Sequence, residues 1–366
     1  MSNLQPAAIE QQTVSSPAGR RGKLPVPSGR YLWPLAGLFL LLAINLVLAP
    51  EFFQIGIVDG RLYGSLIDVL NRSAPVALLA IGMTLVIATG GIDLSVGATM
   101  AIAGAVCANL ITSGVDSIFI LVVAGLGAGL LTGAVNGSLV SLMGIQPIVA
   151  TLILMVAGRG IAQLINAGQI VTFQHPGFAF IGTGDFLTIP FPIVLVMIVF
   201  TVVQLLVRKT ALGLFIEAVG CNAGASHYLG INARAVKMLV YCIAGLCAAL
   251  AGMIAAADIQ GADANNAGLW LELDAILAVV IGGASLMGGR FSLVLSLVGV
   301  LVIQCLSTTI IMSGLPPKFN LLIKALVVIF VLLLQSPRFQ AQMANLFALF
   351  KRNSTATKHR RGEVSP

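Results

Sequence analysis

Charge is scarce in this chain. Only 9% of its 366 residues are charged, 20 Lys and Arg with 13 Asp and Glu, against 58% hydrophobic residues. A water-soluble domain carries about 25% charged residues, and so sparse a supply cannot cover a soluble surface. A soluble enzyme, a nucleic-acid binder and a disordered scaffold are excluded at the outset. Cysteine is also scarce: Cys107, Cys221, Cys242, Cys247 and Cys305 are odd in number and form no CxxC pair, so neither a disulfide framework nor a zinc site is indicated. The three histidines, His175, His227 and His359, lie far apart in sequence. GxxxxGK[ST], HExxH and GxSxG are all absent, which removes the phosphate-loop, metalloprotease and nucleophile-elbow routes to catalysis. The chain reads as non-catalytic, with no metal site and no cofactor of its own.

What the chain has in abundance is long apolar runs. Runs able to cross about 30 Å of hydrocarbon fall near 32–49, 73–90, 94–113, 117–143, 145–166, 189–207, 237–257, 273–288, 291–312 and 319–335. They predict an all-α, polytopic transmembrane bundle of about ten spans (eight or nine is the alternative), occupying 32–336. Flanking it are a disordered basic tail over 1–31, without a signal-peptide cleavage context, and a second basic tail over 337–366 in which 344–350 could form a short interfacial helix. With ten spans and both termini cytoplasmic, fifteen of the twenty Lys and Arg residues fall on the cytoplasmic side: the two tails, Arg208, Lys209, Arg234, Lys237 and Arg290. Acidic residues dominate the outer loops. The positive-inside rule thus accounts for the net charge of +7 without nucleic acid, and the expected location is a bacterial inner membrane.

Glycine, 40 residues in all, punctuates these runs. Gly125, Gly129, Gly133 and Gly137 recur every four residues, and Ala244, Ala248, Gly252 and Ala256 repeat the pattern. Both strips predict close helix approach. The segment GMTLVIATGGIDLSVG (82–97) places Gly90 and Gly91 before Asp93 and Ser95. Two readings stand: a tight turn whose Asp93 or Ser95 caps the next helix, or a discontinuous helix beside a permeation path. A second break pairs Gly282 with Gly283 and Gly288 with Gly289, just before Arg290.

Polar residues inside apolar runs are the other signal. Arg159, Gln163 and Asn166 share one helical face, and an Arg at mid-span costs about 2.5–3.5 kcal/mol on insertion scales. They form either a structural hydrogen-bonding set or a polar stripe along the path. Lys324 is expected to snorkel. In the outer loop, Asp263, Asn265, Asn266 and Trp270 resemble a carbohydrate-contact set, or else a solvated loop with an interfacial aromatic residue. In the largest cytoplasmic loop, 208–237, Asn222 suits an N-cap and Gly230 a C′ position, bracketing a helix of about two turns. So short a helix is unstable alone in water, and reads as a docking element for a cytosolic protein or as a plain connector.

The segments 82–97, 217–231 and GGASLMGGR (282–290) resemble the permease subunits of ribose/galactose-type sugar ABC importers. Further runs such as ATLILMVAGRG, AGQIVTF and GADANNAGLWLELDAILAVVIGG are similar to the galactofuranose permeases of that family. The likeness extends over about 32–336. It implies import of a monosaccharide, galactofuranose in the nearer resemblance, driven by ATP and Mg on a separate cytosolic ATP-binding subunit. It also implies a periplasmic sugar-binding protein and a second permease, identical or homologous. Residues 217–231, with Glu217, Ala218, Gly220, Asn222 and Gly230, become the segment gripped by the ATPase. Glu217-Ala218-Val219 keeps the acidic-plus-small start of the importer coupling motif, but its terminal Leu-Pro is missing. From the residues alone an alternative energetic class stays open, an ion-coupled secondary transporter in which Asp93 and Arg159 relay a proton or sodium ion. A passive channel is a third reading.

Overall fold

The computed structural model describes residues 32–48, 50–58, 61–314, 316 and 319–335; the two basic tails and the 344–350 segment lie outside them. The fold is almost wholly helical. An apolar first helix, α1 (Leu32–Leu48), leads through a 3-10 turn (Pro50–Phe53) and a small hairpin, β1 (Gly56–Val58) with β2 (Arg61–Tyr63), into α2 (Ser65–Ala88). There follow α3 (Val96–Thr112), α4 (Ile118–Ser141), α5 (Pro147–Ile165), β3 (Val171–Thr172), α6 (Pro176–Thr183), and the β4 (Asp185–Phe186) and β5 (Ile189–Pro190) hairpin. The second half comprises α7 (Phe191–Lys209), α8 (Leu212–Cys221), α9 (Ala223–Tyr228), α10 (Ala233–Asp258), β6 (Gly261–Ala262), α11 (Leu271–Ile281), α12 (Leu293–Met312) and α13 (Phe319–Gln335).

Six of these helices, α2, α4, α5, α7, α10 and α12, are long and apolar enough to cross a membrane. Two expected runs change in the structure. The run at 73–90 starts eight residues earlier, at Ser65, because Asp68 and Arg72 neutralise each other one turn apart (Arg72 Nε to Asp68 Oδ2, 3.0 Å) and so sit comfortably on a helix. The run at 273–288 is not one helix. α11 stops at Ile281, its 11 residues rising about 16 Å, and 282–292 continues as irregular backbone with Gly283 at φ +83°. Non-helical backbone at membrane depth survives only when packed inside protein; Gly282 lies flush against Leu295 and Ser296 of α12.

α10 is the central pillar. One side of it receives the glycine strip of α4: Gly129 and Gly245 are in mutual backbone contact, and a Cβ at Gly137 would stand 2.6 Å from Met238 Sδ. Its other side carries the Ala244–Ala256 strip. Gly82 of α2 packs on Ala244, and Gly252 packs on Met100 of α3. The predicted close packing is therefore realised on both faces, where dispersion and backbone proximity replace the hydrophobic drive that lipid cannot supply. α11 and α12 pack beside α2, and α5 lies on α3. Large apolar side chains on α4, α5 and α7, such as Leu131, Val156 and Val202, point outward and exposed, as a lipid-facing surface requires.

Candidate functional site

The two glycine breaks meet. α2 ends at Ala88, and Gly90, at φ +79°, turns the chain away. The Ala88 carbonyl is one of the orphan acceptors every helix C-terminus leaves, and the Gly289 N–H donates to it at 2.9 Å. Gly220 of α8 lies directly on that same carbonyl, leaving no room for a Cβ. Gly288, at φ +88°, closes the knot: a Cβ there would be 2.7 Å from the Gly220 carbonyl and 3.0 Å from the Gly90 nitrogen. Backbone thus meets backbone at the end of α2, at α8, and at the loop joining α11 to α12.

The capping expected of Asn222 and Gly230 in 208–237 is present. Asn222 Oδ1 accepts from the Ala225 N–H at 2.9 Å, and Gly230 at φ +80° terminates α9. Glu217, Ala218 and Gly220, however, belong to a separate ten-residue helix, α8. Glu217 lines a groove of about 370 Å³ with Arg208 and Gln204 of α7 and with Phe291. Leu214, which also lines it, is largely exposed, as are Tyr228 and Leu229 at the end of α9.

Just above the knot sits Asp93, buried. Its Oδ1 accepts from the Ser95 N–H (2.9 Å), the Ser95 hydroxyl (2.6 Å) and Asn136 Nδ2 (3.4 Å), and Asn136 Nδ2 also donates to Ser95 Oγ at 2.6 Å. The capping expectation needs correcting. Ser95 occupies the N-cap of α3 but makes no side-chain cap bond, because its hydroxyl is committed to Asp93. Tyr241 Oη and Asn136 Oδ1 are buried beside this cluster without partners among the described residues.

The polar face of α5 does something different. Arg159 Nη1 donates to the Ala264 and Ala267 carbonyls (3.1 and 2.5 Å), Gln163 Nε2 to Asn265 Oδ1 (2.7 Å), and Asn166 Nδ2 to the Ala262 carbonyl (3.0 Å). All three hold one segment, 259–270, which β6 also pins to β3. Arg159 and Asp93 are not brought together. Thr151, whose hydroxyl reaches the Ile92 carbonyl, lies eight residues before Arg159 on α5, about 12 Å of helix rise. Lys324 does not snorkel: its Nζ pairs with Asp274 Oδ2 at 2.7 Å, both side chains mostly buried, and so ties α13 to the first turn of α11.

Within 259–270, Asp263 Oδ1 accepts from the Asn265 and Asn266 N–H groups, and Oδ2 from Asn266 Nδ2 at 2.7 Å. The Asn266 side chain, then the backbone N–H groups and the Arg159 charge, hold this carboxyl below the usual range. Trp270 stands exposed at φ +67° at the start of α11. The segment roofs a cavity of about 460 Å³ whose floor includes Met100 and Gly252. Asn71, Arg72, Asp258 and Gln304 line it together with Asp263 and Asn266. Asn71 and Arg72 also line an adjoining vestibule of about 710 Å³. Sequence reasoning missed Asn71, Arg72, Asp258 and Gln304. The signal for Gln304 was there, an isolated amide within an apolar run; Asn71 and Arg72 fell just before the run at 73–90.

Among the described residues no group of three His, Cys, Asp or Glu side chains is placed to hold a metal ion. His175 instead caps α6, its Nδ1 accepting from the Phe178 N–H at 2.9 Å.

The described helices thus enclose a cavity with a few polar lining residues at one end and a crossing of broken helices at the other. The family model described as "Branched-chain amino acid transport system / permease component" matches residues 65–332. The chain belongs to this permease family. Among relatives, it is 59% identical over 318 residues to the galactofuranose transporter permease protein YtfT of Escherichia coli (strain K12), covering 86% of this chain and 93% of that one. It is 40% identical to the fructose import permease protein FruF of Bifidobacterium longum (87% and 91% covered). It is 36% identical to the ribose import permease protein RbsC of Escherichia coli (strain K12) (83% and 93%). No solved structure matches the permease.

Proposed function

We propose that this permease is the membrane-spanning, non-catalytic subunit of a binding-protein-dependent ABC importer that moves a monosaccharide, galactofuranose, inward. The bundle crosses a bacterial inner membrane ten times, counting α1, α2, α3, α4, α5, α7, α10, the discontinuous span made of α11 with the irregular 282–292, α12 and α13, with both termini cytoplasmic. ATP and Mg act on a separate ATP-binding subunit that docks on α8 and α9. A periplasmic sugar-binding protein delivers cargo to the outer face near 259–270, and a second permease, identical or homologous, completes the pore. The observation that carries this reading is the crossing of Gly220, Ala88 and Gly289, which leaves no slack between α8, the end of α2 and the loop joining α11 to α12. Force applied to α8 reaches the transmembrane helices through backbone contact. Asp93 and Arg159 sit in separate hydrogen-bond networks, which disfavours an ion relay between them.

The test is uptake of labelled galactofuranose in proteoliposomes holding the permease, its ATPase and its binding protein. Internal ATP should support accumulation with ion gradients collapsed, and substituting the phosphate-loop lysine of the ATPase should abolish it. Accumulation without hydrolysable ATP would overturn the energetic assignment, and accumulation of fructose or ribose in preference to galactofuranose the substrate assignment.

A further inference from the structure

Several buried side-chain polar atoms lack a hydrogen-bond partner among the described residues, and one of them belongs to a residue that lines the roofed cavity. Around the roofed cavity of about 460 Å³, Asn71 Oδ1 is buried with no hydrogen-bond partner among the described residues. Among the described residues neither the Asp258 carboxylate nor the Gln304 amide makes a side-chain hydrogen bond, and Arg72 uses only its Nε, on Asp68. The roof residues behave oppositely: Asp263 accepts from the Asn265 and Asn266 N–H groups and from the Asn266 side chain. One wall therefore offers unfilled donors and acceptors, whereas the roof is fixed and self-contained. The remaining lining, including Met100, Pro75, Pro192 and Ile254, is apolar.

We propose that this cavity within a single permease chain is the transient holding site for the sugar, with Asn71, Asp258, Gln304 and the free guanidinium N–H groups of Arg72 hydrogen-bonding its hydroxyls. The proposal rests on the sugar-importer reading above and adds the place and the residues. Its volume lies within the range of about 300–1,000 Å³ typical of small-molecule sites, which combine apolar walls with a few convergent polar groups. A polyhydroxylated ring suits this wall because each hydroxyl both donates and accepts. It can give a proton to Asp258 or Asn71 Oδ1 and take one from Arg72 or the amide of Gln304. An aliphatic or aromatic solute of equal size would leave those groups unpaired. The route in is the vestibule that shares Asn71 and Arg72, so the sugar would pass from one volume to the other without leaving polar contact. On this view Asp263 and Asn266 keep the roof in shape and do not touch the sugar.

The experiment uses the full importer in proteoliposomes, with labelled galactofuranose and its binding protein. Asp258→Asn and Gln304→Leu should each lower uptake about tenfold or more, the size of discrimination expected when a site built to bond hydroxyls loses a partner. ATP hydrolysis stimulated by the binding protein should persist, and Thr201→Val on the outer surface of α7 should transport normally. No uptake by the unaltered importer would defeat the sugar-importer reading itself. Normal uptake by both cavity variants beside an active unaltered importer would defeat only the cavity assignment. A second measurement guards against misfolded variants. Ala255→Cys, on the cavity wall, should react with a membrane-impermeant maleimide from the outer side and be protected by binding protein loaded with sugar. Protection equal with sugar-free binding protein, or none at all, would overturn the proposal.

Discussion

The two ends of the permease are held together by opposite means. At the end that the proposed topology places outside, the outer end, side chains reach across space. Arg159, Gln163 and Asn166 grip the 259–270 segment through hydrogen bonds to carbonyls and an amide, and Lys324 grips Asp274. At the end assigned to the cytoplasmic side, the inner end, the joint is made by backbone. Gly220, Gly288 and Gly289 bring backbones to bonding or contact distance around the Ala88 carbonyl. A hydrogen bond from a flexible side chain can break and reform at a net cost of about 1 kcal/mol, somewhat more for a charged donor. A steric backbone contact has no such give, since packed interfaces are bistable rather than continuously deformable. The outer end is thus built to be released, and the inner end to transmit.

The largest effect expected from that contrast is at Gly220. In Gly220→Val two γ-methyl groups must fit where even a Cβ overlaps the Ala88 carbonyl. The cost should exceed about 3 kcal/mol, the upper end of the overpacking range. The joint opens to relieve it, and α8 separates from α2. Thermal melting of the purified permease should fall, and uptake should be lost even where the protein inserts and the ATPase still binds. Retention of full uptake with unchanged melting would show that the inner contact transmits nothing.

A smaller effect is expected at the outer clamp. Arg159→Met removes two charge-assisted bonds to the Ala264 and Ala267 carbonyls while keeping most of the side-chain volume. The expected loss is about 2–3 kcal/mol. It should be local: faster hydrogen exchange through 262–269, with α8 and α9 unchanged. If exchange rose equally at both ends, the division between a releasable outer end and a rigid inner one would fail.

This contrast also marks what could be read from the residues alone. The glycine pairs were visible as helix breaks, and Asn222 and Gly230 announced α9, because capping and positive φ are local demands on residue type. That Gly90, Gly220 and Gly288 would converge was not visible, because each is separated from the next by tens of residues and the joint involves no side-chain pattern at all. Arg159, Gln163 and Asn166 were legible as a polar face, but their partners are mostly backbone carbonyls of a distant loop, and carbonyls leave no trace in a sequence. α11 read as a full span because composition does not register where a chain leaves the helix at Gly282. Asn136 and Tyr241, which surround Asp93, carried too little signal within their apolar runs to be singled out.

The smallest effect tests whether the inner end contains any releasable element. α9 has only six residues and starts from the Asn222 cap. Asn222→Ala removes that acceptor, at about 1 kcal/mol, the usual worth of an N-cap. So short a helix has no propagation energy to absorb the loss, so its amides at 224–228 should exchange faster. The knot at Gly220 does not depend on α9 and should stay protected. Under our docking assignment, the ATPase meets α8 and α9 together. Its affinity should weaken by less than about tenfold, the factor that 1.4 kcal/mol represents, while sugar moved per ATP stays constant. A fall in that ratio would mean that α9 carries force along with α8, and the rigid part of the inner end would then extend beyond the glycine crossing to the whole of 212–230.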